Sequence, residues 1–139
     1  MTLRYLLDTN VISEPLRPTP HPAVLEKLRL NEDFLTISAI TWHELWFGCL
    51  RLPVSARRTA IEAYLLQVVA PSIPVIPYEE SAAAWHAAER ARLATLGLTP
   101  PCADGQIAAI AHQNELTLVT FNSADYQGFQ DILLDDWRS

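Results

Sequence analysis

A chain of 139 residues, half of them hydrophobic and 19% charged, is long enough to bury a core as one domain over residues 1–139 and too apolar for disorder. No apolar run approaches the ~20 residues of a membrane span, and two cysteines, Cys49 and Cys102, with no CxxC pair, argue against structural zinc and for a reducing cytoplasm. The net charge of −6 is unusual for a nucleic-acid binder, although nine of the ten cations are arginines, the residue suited to bidentate phosphate contacts.

The chain opens on a short, largely apolar run, Leu3 to Leu7, that reads as a strand and stops abruptly at Asp8. Pro15, Pro18, Pro20 and Pro22 form a stiff link into a helix over 23–30. A second buried strand, 34–37, leads to Ser38, a natural cap for a helix over 39–50. That helix is apolar almost all round, with Trp42 and Trp46 at its centre, so it is buried or covered by a partner. Ser55 caps a long helix, 56–69, and prolines bracket a third strand at 73–77, which is therefore short or at an edge. An alanine-rich helix, 79–96, ends at Gly97. A helix over 103–114, a buried strand at 116–120, a polar loop and a last strand near 132–134 complete the pattern. Strands alternating with helices predict a mostly parallel sheet in a three-layer α/β fold.

Four carboxylates fall where a core would prefer none. Asp8 ends the first strand, and in open α/β sheets ligands bind at the carboxyl ends of strands; a helix cap is the plainer reading. Glu44 has Ile40, Thr41, Phe47 and Gly48 as its helical neighbours, so it needs a partner, either a cation such as Arg51 or a metal. Asp104 is in a helix's first turn, where the dipole favours it, and it shares the inward stripe of Ile107, Ala108 and Ala111. Asp125 follows the strand ending at Thr120, where a solvated loop residue is equally in keeping.

Several other chemistries fail on residues. His43-Glu44 lacks the second histidine of HExxH, because position 47 is Phe47. Phosphatases and receiver domains that use an aspartate after strand one need a later lysine, and none follows Lys27. No glycine-rich phosphate loop and no GxSxG are present. Converging carboxylates without lysine, histidine or cysteine suit a hard cation, magnesium or manganese, and such sites serve phosphodiester hydrolysis.

The blocks 6–13, Ser38 to Thr41 with Glu44-Leu45 and Gly48, 104–109, and Thr120, Asn122 and Asp125-Tyr126 together resemble the PIN-domain proteins, specifically VapC-type toxins. The resemblance implies a PIN-like three-layer sandwich and a Mg2+- or Mn2+-dependent endoribonuclease. It implies Asp8, Glu44 and Asp104 as metal ligands, Asp125 as the fourth acid, and Thr120 and Asn122 as residues that orient the cluster. It also implies a homodimer and a VapB-type antitoxin whose tail covers the site. The family commonly has arginine between that threonine and asparagine, and Phe121 stands here instead. Phe121 and the acidic balance motivate a competing expectation, a catalytically idle PIN module that binds protein or RNA. Arg57, Arg58, Arg90 and Arg92 are candidates for a basic rim, against the ordinary role of a solvated helix face.

Overall fold

The computed structural model describes residues 2–139. Five short strands, β1 (Tyr5–Leu7), β2 (Leu35–Ser38), β3 (Val75–Ile76), β4 (Thr117–Val119) and β5 (Leu133–Asp135), form one sheet in the order β3-β2-β1-β4-β5. All four pairings are parallel, with Leu7 opposite Val119 and Leu6 opposite Thr36. The sheet is thus parallel throughout, and β3, expected over 73–77 as short or at an edge, is both: two residues long and outermost.

Because side chains alternate across a strand, Leu6 and Leu7 feed two separate cores. Leu7 packs with Val11, Leu45, Leu65 and Trp137, under α1 (Thr9–Ile12), α3 (Ala39–Leu50) and α4 (Ala56–Tyr64). On the other face, Leu6 and Leu118 pack with Leu93, Ile107 and Ile110, from α6 (Glu80–Thr95) and α7 (Cys102–Gln113). Burying both faces is what an all-parallel sheet requires. The last turn of α6 passes into Gly97, whose φ of +77° is the left-handed conformation a helix end uses.

Two elements differ from the sequence reading. The proline-rich link carries a 3₁₀ turn, Glu14–Leu16, before α2 (Pro22–Leu30), which starts with proline in its first turn. The helix expected to end at Val69 instead widens into a π turn, Leu65–Val69, and continues as α5 (Ala70–Ser72). The widening falls just before Pro71, which brings no N–H to the ladder.

Helix α3 resolves the question posed by its composition. It buries Thr41, Leu45 and Cys49, four residues apart on one stripe, and packs Trp42 and Trp46 against the same core. Phe47 and Leu50 remain 60% and 51% exposed. The tryptophans are therefore core residues, and only the far side of the helix offers apolar surface.

Candidate active site

The parallel sheet brings the ends of β1, β2 and β4 to one crest, and α1, α3 and α7 start or pass there. Asp8 is the N-cap of α1, its Oδ1 accepting from Thr9 N at 2.9 Å. The capping role uses one oxygen only. Its Oδ2 accepts from Thr120 Oγ1 at 2.9 Å and from the Tyr126 hydroxyl at 3.3 Å. The cap and the site are one residue.

Thr120 is held in place from several sides. Its N–H donates to the carbonyl of Asp135 at 3.0 Å, and its Oγ1 accepts from Asn122 N at 3.0 Å. Asn122 thus acts through its backbone. Glu44 is half-buried one turn along α3, and its Oε1 accepts from Thr9 Oγ1 at 2.8 Å. No ion pair to Arg51 forms among the described residues. Ser38, the expected cap, accepts from Thr41 N at 3.0 Å and so fixes the start of the helix that presents Glu44.

Asp104 comes from the first turn of α7 and faces the same crest. Its Oδ1 is 3.4 Å from the Tyr126 hydroxyl, so one phenolic hydrogen serves both Asp8 and Asp104. Burial pushes the Asp104 carboxyl up to about 6, and the nearby charges of Asp8, Asp125 and Glu44 add to that rise. Asp125 is exposed on a 3₁₀ turn, Ser123–Asp125, and reaches Asp104 by charge rather than by hydrogen bond. Burial and the carboxylates of Asp8 and Asp104 likewise drive the Tyr126 hydroxyl far above the tyrosine range, so it is a permanent donor.

All four acids expected from the sequence therefore share one electrostatic neighbourhood. Among the described residues no three Asp, Glu, His or Cys side chains close into a complete ligand set; hydroxyl groups link the acids instead. The donor set is all oxygen, and burial beside the carboxylates of Asp8, Asp125 and Glu44 makes Asp104 a weaker acid than usual. Both features fit a hard divalent ion.

Tyr126 and Thr9 were not legible as site residues. Tyr126 lies in an irregular loop where no periodicity assigns a direction, and its place beside Asp125 in the resembling blocks gave it no role. Thr9 reads as a turn residue, and only the approach of α3 gives its hydroxyl a role.

Two hollows adjoin the crest. One, about 800 Å3, runs from Thr9 and Glu44 to Phe47, Arg51 and Gln106. A groove of about 760 Å3 continues past Asn10 and Glu44 to Arg17, Arg51 and Arg57. The arginines expected at the rim divide accordingly. Arg58 donates to the Leu52 carbonyl, and Arg92 is committed to Glu89 and the Gly128 carbonyl. Arg57 lines the groove beside the acids. Phe121 packs against the first core, and the Arg138 guanidinium lies 4.7 Å over its ring and donates to its carbonyl at 3.0 Å.

The PIN domain family model matches residues 5–127. This chain is a PIN-domain protein. Toxin FitB of Neisseria gonorrhoeae is 36% identical to it over 96% of this chain and 98% of its own length. The VapC ribonuclease Y4jK of Sinorhizobium fredii is 33% identical over 96% of this chain and 97% of its own. A solved structure of FitAB bound to a DNA fragment superposes with a TM-score of 0.87 at 33% identity, covering 97% of this chain and 96% of that one. The expected α/β sandwich of a PIN domain is thus the fold of this protein, and its family includes the VapC-type toxins.

Proposed function

We propose that this PIN domain is the toxin of a toxin–antitoxin pair, a cytoplasmic endoribonuclease that hydrolyses RNA with Mg2+ or Mn2+ held by Asp8, Glu44 and Asp104, with Asp125 as the fourth acid. The observation that carries the reading is the meeting of acids at the crest: Asp8 and Asp104 share the Tyr126 hydroxyl, Glu44 rests on Thr9 beside them, and burial together with the neighbouring carboxylates raises the Asp104 carboxyl. The likeness to a toxin and to a VapC ribonuclease over nearly the whole chain supports the same reading. No helix among the described residues is long and apolar enough to cross a membrane.

When bound, such an ion supplies a polarised water as nucleophile and neutralises charge on the phosphate. The protein's own contribution is positional. Thr120 and Tyr126 fix the rotamer of Asp8, Thr9 fixes Glu44, and Tyr126 ties Asp8 to Asp104. Arg51 and Arg57 give the adjoining groove the positive charge that an RNA backbone needs. The exposed Phe47 and Leu50 offer an apolar surface for a VapB-type antitoxin or for the second copy of a homodimer.

The test is cleavage of total RNA by the purified protein freed of its antitoxin, with manganese, with chelator, and with the Asp8→Asn variant alongside. Discrete fragments that require both metal and Asp8 are expected. Cleavage that persists in Asp8→Asn or in chelator would remove the metal site from the mechanism. No cleavage by the folded parent would turn the assignment to a binding module.

A further inference from the structure

Helix α7 separates the hollow beside the acids from a second cavity, about 520 Å3, between α6 and α7, and Gln106 lines both. Tyr78, His86, Arg90 and Cys102 line the second one. Its volume lies within the ~300–1,000 Å3 of small-ligand sites, and it is open to solvent along the exposed side of α6.

Its residues are arranged rather than incidental. Arg90 has no hydrogen-bond or ion-pair partner among the described residues, whereas Arg92, two positions on, is fully committed to Glu89 and Gly128. Arg90 is exposed at the rim of the hollow, so in a protein of net charge −6 its unpaired guanidinium is open to an anion. Tyr78 is fixed from behind: its hydroxyl lies 3.1 Å from Nδ1 of the buried His86. The His86 ring in turn occupies the space over Gly105, where a Cβ would come within 2.0 Å of Nε2. Gly105 thus lets the histidine seat, and the histidine steadies the tyrosine. Gln106 stands two residues beyond Asp104, ~3 Å along the helix axis, and its amide both donates and accepts.

We propose that this cavity is a subsite for the nucleotide that flanks the phosphate at the acid cluster, with that nucleotide's phosphate on Arg90 and its base against Tyr78 and Gln106. The proposal rests on the ribonuclease reading and adds a strand path to it: in from the Arg51–Arg57 groove, over the acids, and out past Gln106. It makes Gln106 a specificity residue, because single-stranded RNA is read by stacking and by the hydrogen-bonding edges of splayed bases.

The experiment measures binding of a short fluorescein-labelled single-stranded RNA of mixed sequence to the full chain carrying Asp8→Asn, by anisotropy over a salt series. Arg90→Ala is expected to weaken binding about tenfold and to lower the salt slope by about one. Arg90→Lys is expected to restore the slope, and Arg29→Ala, on the exposed face of α2, to leave both unchanged. With Asp8 intact, Gln106→Ala is expected to relax the base preference beside the cut in end-mapped fragments. Equal affinity and slope in Arg90→Ala, with the Asp8 parent cleaving RNA, overturns the subsite and leaves the ribonuclease standing. A changed oligomeric state of Arg90→Ala in sedimentation assigns the cavity to a protein contact and also overturns it. A parent that neither binds nor cleaves RNA takes down the ribonuclease reading, and the subsite with it.

Discussion

Buried acids occur in two settings in this protein, and they are treated oppositely. Glu14 and Glu89 are only 1% and 7% exposed. Each receives an arginine three residues along, Arg17 or Arg92, and a backbone N–H from a distant segment, His21 or Gln130. The acids of the crest receive hydroxyls from Thr9, Thr120 and Tyr126 and no arginine at all. A carboxylate that serves the fold brings its own cation; those at the crest are left with an unmet demand for one. That difference separates structure from site better than burial alone does.

The largest expected effect breaks the comparison at the crest. Asp104→Asn should lower RNA cleavage by more than ~100-fold, beyond the ~10- to 100-fold that residues supporting a metal ligand contribute, while urea unfolding shows no loss of stability. At the structural acids the signs reverse. Arg92→Met leaves Glu89 without its cation and should lower the urea midpoint of unfolding, with cleavage per folded molecule unchanged. Tyr126→Phe tests the link between the two settings, a hydroxyl doing the work of a counter-charge. It should weaken manganese binding about tenfold by titration calorimetry and change stability little.

The smallest effect is the most diagnostic. The folded-state pKa of Asp104 is raised to about 6 from an ordinary 3.8, so the folded protein holds that proton more tightly than the unfolded chain does. The resulting stability is fully present below pH 3.8 and is lost as the pH rises through about 6. In chelator, Asp104→Asn should recover roughly 1 kcal/mol at pH 7, the shift being discounted for solvent screening. Glu89 is held below its ordinary value by Arg92, so its contribution is present above the ordinary carboxylate range and fades on acidification. Unfolding curves for Asp104→Asn and Arg92→Met should therefore part from the parent in opposite directions toward pH 7 and rejoin it toward pH 3.

Much of this was legible in the sequence for plain reasons. Parallel strands buried on both faces are continuous apolar runs, so 116–120 and the start of the chain could be read directly. Asp8 stood out because it interrupts such a run, and Asp104 because it lies on the inward stripe of its own helix. What escaped depends on contacts between distant segments. Tyr126 meets Asp8 across 118 positions, and no local pattern encodes that meeting. Arg92 resembled a rim residue until the backbone of Gln130 and the Gly128 carbonyl closed around its pair with Glu89. Glu44 lies beside the other acids, but the partner it has is a threonine hydroxyl and not the cation its apolar surroundings suggested.

The N–H of Thr120 rests on the carbonyl of Asp135, in β5, and Arg138 caps the carbonyl of Phe121. β5 follows every acidic residue of the crest in the chain, so it is made after all of them. Until β5 is made the Thr120 N–H lacks that carbonyl, although Thr9 N and the Tyr126 hydroxyl can already hold Asp8. The order of synthesis therefore places the last backbone support of the cluster after all four of its acids.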